Sequence, residues 1–165
     1  MLLYNVFQEG GRSARTGSEL VCQQLIPANV SLNAHANVYL RNIDAFSVVN
    51  QYPVPVRYSS ARQQLTSGNA RLNAVIKLPR EWQMQVSNIC LAPDLLPQSR
   101  NASRYSLDVG LKKGVQRGMG NVVVNATDLL NTNQASRTIR GTDYRLVSTD
   151  YLPPEVIRVG YHWKL

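Results

Sequence analysis

From residue 30 to residue 41 every even position is apolar (Val30, Leu32, Ala34, Ala36, Val38, Leu40), and every odd one is polar or amphipathic (Ser31, Asn33, His35, Asn37, Tyr39, Arg41). Successive side chains of a β-strand point to opposite faces, so this alternation predicts a long strand with one face on a core. Residues 157–165 repeat it, with Ile157, Val159, Tyr161 and Trp163 set against Arg158, Gly160, His162 and Lys164. A terminal stretch patterned so regularly is expected to be paired in a sheet rather than frayed. Tyr161 and Trp163, on the apolar phase, are expected in the core.

Weaker alternation fills the space between. Leu72, Ala74, Ile76 and Leu78 alternate before Pro79; Tyr105, Leu107, Val109 and Leu111 alternate before Lys112, Lys113 and Gly114; Val122, Val124 and Ala126 follow a glycine-rich turn. Shorter apolar runs at 2–7, 20–26, 46–49, 86–91 and 144–152 complete the set. The expected fold is all-β, an antiparallel β-sandwich of jelly-roll type with about eight to ten strands and at most one or two short helical turns, at 59–65 and 127–133. Thr127 or Asp128 would cap the second turn. Two prolines at alternate positions, Pro53 and Pro55, suit an edge strand or an extended segment and not a central strand.

The 165 residues predict a single domain, 1–165, with 1–19 as an N-terminal arm or loop. The opening apolar residues lack a basic leader, and no stretch approaches the roughly 20 apolar residues that carry a helix across a bilayer. The expectation is therefore a protein made in a cytoplasm. Cys22 and Cys90 lie in apolar runs and read as small buried hydrophobes, with a disulfide between them as the alternative.

Charged residues are 17% of the chain, low against about 25% for a typical globular protein, and amides take their place with 14 Asn and 11 Gln. A polar but uncharged surface suits packing against neighbouring proteins, because burying an amide costs less than burying an ion. The net charge is +8, carried by 14 Arg and only 4 Lys, and arginine is favoured where planar, bidentate contacts are made. Candidate contacts to an anion or partner are the basic residues near predicted turns: Arg12, Arg15, Arg57, Arg62, Arg100, Arg104, Lys112, Lys113, Arg117, Arg137, Arg140 and Arg145.

No catalytic constellation emerges. The residues that titrate near neutral pH, His35 and His162, fall on the polar phase of their strands, and the carboxylates are scattered singly. No spacing of Cys, His, Asp or Glu suggests a metal, and no cofactor is implied. The stretch 112–120 lacks the Gly-Lys-Ser/Thr ending of a phosphate loop and reads as a hairpin connection. The chain is not expected to be an enzyme.

Through the alternating runs at 30–40, 72–78, 105–111 and 157–165, the chain resembles the single jelly-roll coat and minor capsid proteins of viruses and bacteriophages, a pattern that immunoglobulin-like and lectin sandwiches share. That resemblance implies a structural subunit of a virion or similar shell, whether capsid, decoration, spike or tail component. Its partners would be copies of itself and other virion proteins, with nucleic acid as a further candidate. The alternative is a free cytoplasmic module binding single-stranded nucleic acid or a glycan, for which several tyrosines and Trp163 offer stacking surfaces.

Overall fold

The computed structural model of the chain describes residues 11–26, 29–51, 54–116, 119–151 and 155–163. Seven long strands, β1 (Ser13–Ile26), β2 (Val30–Ile43), β5 (Gln63–Leu78), β6 (Trp82–Leu91), β9 (Arg104–Val115), β10 (Gly120–Thr127) and β13 (Val156–Trp163), form one sheet in that order. Each is antiparallel to the next. Between them lie β3 (Phe46–Asn50) and β4 (Val56–Ser60), which among the described residues pair with one another, and β7 (Asp94–Leu96), β8 (Ser99–Asn101), β11 (Gln134–Arg140) and β12 (Arg145–Tyr151), which form a four-stranded sheet in the order β12-β11-β8-β7.

The all-β, antiparallel architecture expected from the alternation is what forms, with no α-helix among the described residues. The stretch 59–65 is not a helical turn: Ser59 and Ser60 end β4, and Gln63 begins β5, which pairs with β2 over 14 residues. After β10 the chain turns without helix, the buried Asp128 accepting from the Thr132 and Asn133 amides at 3.2 and 3.0 Å. Residues 13–19 are no free arm, since they belong to β1 and pair with β2; residues 1–10 lie outside the described residues. Tyr52 and Pro53 are also outside them, while Pro55 immediately precedes β4, a strand with one partner.

Connections differ at the two ends of the large sheet. One end carries the short connections 27–29, 79–81 and 116–119; the other carries the longer ones 44–62, 92–103 and 128–155, within which the six short strands fall. In the 79–81 turn Arg80 and Glu81 both have left-handed φ, 60° and 61°. Two such residues cost roughly 1 kcal/mol each. They are offset by the Lys113 ammonium donating to the Arg80 carbonyl and by the Gly114 N–H donating to the Glu81 carbonyl.

The pairing registers link Ile26, Val30, Ile76, Met84, Leu111, Val124 and Val159 into one level across all seven strands. Relative to that level, strand midpoints climb by about seven residues from β13 to β1, ~23 Å along the strands against ~29 Å across six inter-strand steps. The line of midpoints is thus inclined to the hydrogen bonds by roughly 40°.

The expected core is missing. Among the described residues the buried hydrophobics are Ile43 and Leu95, and no side chain falls below 2% exposure. Tyr161 and Trp163 are 52% and 49% exposed, so they line a surface rather than a core, and Cys22 and Cys90 are exposed, free thiols. Alternation correctly separated the faces of the sheet. Among the described residues no second layer buries the apolar one.

Candidate functional site

The two faces of the seven-stranded sheet have opposite chemistry. On one, the level that runs from Ile26 to Val159 is apolar at every strand, and the next level joins Gln24, Leu32, Ala74, Val86, Val109, Ala126 and Ile157. Side chains here stand in the open: Leu20 is 68% exposed, Ile157 64% and Val159 72%. On the opposite face one level reads Gln23, Asn33, Asn73, Ser87, Asp108, with the Ser87 hydroxyl donating to Asn73 Oδ1 at 2.7 Å. Asn37, Asn69, Gln85, Asn121 and Asn125 share that face. Many of the amides expected at contacts between subunits are therefore the polar half of a single sheet.

Aromatics gather at the short-turn end of the apolar face. Trp82 lies beside Lys113, whose Nζ is 5.1 Å from the ring centroid. The Tyr161 and Trp163 rings are 6.3 Å apart, and the Tyr161 hydroxyl donates to Gln116 Oε1 at 2.9 Å. Such rings, apolar in body and polar at one edge, favour a boundary between water and an apolar medium. Tyr105 stands near the other end of the same face.

At the loop end the four-stranded sheet leans over the polar face. Asp94 of β7 accepts from Arg41 Nη1 at 2.8 Å and from Arg15 Nη2 at 3.3 Å, tying the excursion 92–103 to β1 and β2. Arg15 also sits 5.0 Å above the Tyr39 ring. Between this small sheet and the wall lies a cleft of about 530 Å³, with Tyr39, Asn69 and Arg104 on one side and Arg137, Ser148 and Asp150 on the other. A neighbouring cleft of about 300 Å³ is lined by Asp108, Asp128 and Arg158 among others. The Asp128 N–H donates to Asp108 Oδ1 at 2.8 Å, and the Leu129 N–H to the Leu107 carbonyl at 2.8 Å, which pins the start of the long excursion 128–155 to β9.

The structure brings together only some of the basic residues picked out from the sequence. Arg12, Arg15, Arg57, Arg62, Arg100, Arg104, Arg137, Arg140 and Arg145 all lie at or beyond the loop end of the large sheet. Arg137 Nε donates to Asn101 Oδ1 at 3.2 Å, and the Arg57 carbonyl accepts from the Thr142 hydroxyl at 3.4 Å. Lys112 and Lys113 sit near the short-turn end of β9, remote from this group, and Arg117 lies outside the described residues. Sequence reasoning missed Arg41 and Asp94. Both are unremarkable in local pattern, and only the fold-back of β7 makes them partners. His35 Nε2 lies 2.8 Å from Glu19 Oε1 on the polar face, an exposed pair rather than a base beside a nucleophile.

No group of three or more His, Cys, Asp or Glu side chains among the described residues is arranged to hold a metal ion. No helix among them is long and apolar enough to cross a membrane, which says nothing of crossing by strands.

No curated protein and no solved structure matches the chain. A family model does, over residues 2–163, and its description is an outer membrane protein beta-barrel family. This match overturns the virion subunit, the free nucleic-acid or glycan module, and the virion or cytoplasmic location expected from the sequence. The physical reason is that period-two alternation marks any two-sided sheet and is silent about the medium against its apolar side. Matched along nearly its whole length, and built as a sheet with one exposed apolar face and one amide face, the chain belongs to the outer membrane protein β-barrel family.

Proposed function

We propose that the seven-stranded sheet is a sector of a barrel wall in the outer membrane, its apolar face against lipid and its amide face against a water-filled interior. The observation that carries this is the exposed apolar face itself. In water so broad a patch invites aggregation, whereas in a bilayer it is solvated by acyl chains while the ladders satisfy the backbone. The geometry supports the same reading. The incline of roughly 40° matches the strand tilt of membrane barrels, ~35–45°. On β9, Tyr105 and Val115 are ten residues apart, which at that tilt is ~25 Å along the membrane normal, the height of a typical lipid-facing band. Lys113 falls within this span near its short-turn edge, where a long side chain can reach the headgroups. Nothing in this role calls for catalysis.

Cys22 and Cys90 test it without mutation, since Cys22 pairs with Ala34 and Cys90 with Tyr105 on the apolar face. In intact proteoliposomes both thiols should resist a membrane-impermeant maleimide and react after denaturation. In a Cys22→Ser, Cys90→Ser background, Gln85→Cys on the opposite face should react through the aqueous interior. Cys22 labelling as fast as Gln85→Cys would refute the assignment of faces.

A further inference from the structure

We infer that the cleft between the four-stranded sheet and the wall binds a small organic oxyanion, a phosphate monoester or a dicarboxylate, held between Arg104 of β9 and Arg137 of β11. The site lies on the polar side of the large sheet, so it goes beyond the wall reading and does not depend on which medium meets the apolar side.

Two sheet faces make the cleft. Its floor is the loop end of the polar face, where Asn69, Leu91 and Arg104 share one register level. Its roof is one face of the small sheet, on which Arg137 is in register with Asn101 on one side and Ser148 on the other. Arg137 Nε donates to Asn101 Oδ1 at 3.2 Å, which steadies the guanidinium and leaves its two Nη groups without a partner among the described residues. The volume of about 530 Å³ falls in the range of roughly 300–1,000 Å³ common for small-molecule sites, and Leu91, Ile139 and Leu146 give an organic body something apolar to rest on.

Arg104 is the residue that points to a ligand. It lines this cleft and the neighbouring one of about 300 Å³ and is half-buried, yet it makes no hydrogen bond, ion pair or ring contact with any described residue. Three of the four carboxylates lining the two clefts are engaged elsewhere. Asp94 Oδ2 takes Arg15 and Arg41, and its Oδ1 accepts from the Leu95 N–H at 2.9 Å. Asp128 accepts from the Thr132 and Asn133 N–H groups, and Asp108 accepts from the Asp128 N–H. The fourth, Asp150, is exposed on the roof and bridges to neither Arg104 nor Arg137. With the two arginines that hold Asp94 included, four guanidiniums face two carboxylates across the larger cleft, so positive charge is in excess there. A partly desolvated guanidinium is costly without an anion, and the two oxygens of a carboxylate or phosphate match its fork. Two guanidiniums on opposite walls favour a dianion, which would tie the small sheet to the wall a second time, beside the Asp94 clamp.

The test is isothermal titration calorimetry on the full-length protein in detergent micelles at about 0.15 M salt, where long-range attraction is screened. The probes are phenyl phosphate, succinate and succinamide, the uncharged counterpart of succinate. Phenyl phosphate or succinate should bind saturably, one per chain, and succinamide should not. Arg104→Gln and Arg137→Gln should each weaken binding about ten-fold or more, the loss expected for one charge-assisted contact. Arg71→Gln removes a charge from the same face of β5 outside the cleft and should change binding less than about two-fold. In the unmutated protein the bound anion should also slow amide exchange in β11, a readout that stands even where a variant does not fold. No saturable binding of either anion, equal binding of succinamide, an Arg71→Gln effect as large as that of Arg104→Gln, or unchanged exchange in β11 would each overturn the site. Maleimide resistance of Cys22 and Cys90 reports on the wall reading separately, so the two failures are told apart.

Discussion

Arg41 of β2 and Asp94 of β7 meet with Nη1 2.8 Å from Oδ2, and the arginine side chain is only 10% exposed. Its Nε is buried without a hydrogen-bond partner, so Asp94 is the one anion compensating that charge among the described ion pairs. Arg15 shares the same oxygen at 3.3 Å but is 54% exposed. Removing one partner of a buried pair strands a charge at a cost of about 3 kcal/mol, while an exposed partner contributes under ~1 kcal/mol. Asp94→Ala should therefore speed amide exchange in 92–103 far more than Arg15→Ala does. Equal effects would mean that the clamp does not depend on Arg41.

Charge placed on the two faces should separate them energetically. Val109 and Gln85 lie on neighbouring strands and opposite faces. Val109→Lys should cost ~2–4 kcal/mol in urea unfolding from lipid vesicles, the penalty for a cation near mid-bilayer, and Gln85→Lys should stay within ~1 kcal/mol. Similar costs would show that both faces meet the same medium.

The glycines of the wall should differ sharply in tolerance. A Cβ on Gly68 would lie 2.5 Å from the Asn37 carbonyl oxygen, and one on Gly17 would lie 2.6 Å from Tyr39 Cα, so backbone must give way. On Gly160 the nearest atom would be 3.9 Å away. Gly68→Ala and Gly17→Ala are expected to destabilise by about 1–3 kcal/mol, with Gly160→Ala near neutral, in the same unfolding assay. A reversed order would contradict the packing of β2 between its neighbours.

Trp82 and Trp163 are the two tryptophans of the chain, and both stand at the short-turn end of the apolar face. Lipids brominated near the headgroup should quench their fluorescence more strongly than lipids brominated at the acyl-chain end. Stronger quenching from the chain end would place the aromatic group at the wrong depth.

How far the sequence speaks is clearest in β2. The alternation from Val30 to Arg41 forms one paired strand in the phase it predicts, and the hairpin through 112–120 joins β9 to β10. What alternation cannot carry is environment: Val159 at 72% exposure and a buried valine in a sandwich have the same neighbours in sequence. That ambiguity sent Tyr161, Trp163 and both cysteines to a core, whereas all four are exposed among the described residues. The 59–65 stretch misled for a different reason, since its weak local preference is overridden when β5 extends to match β2 residue for residue. The Asp94 clamp was invisible because it depends on where an excursion lands, which depends in turn on long-range pairing.

The unequal ends of the large sheet give the molecule two sides that differ in how much described chain they present. On the short-turn side the described connection at 79–81 is held tight by Lys113 and Gly114. On the other side lie Arg41, the nine arginines singled out from the sequence that share that end, and the tip at 141–144, where β11 turns into β12. A grafted epitope would be displayed at that tip, whereas the same graft at 79–81 would have to break the turn to fit. The sheet thus differs between its two ends as well as between its two faces.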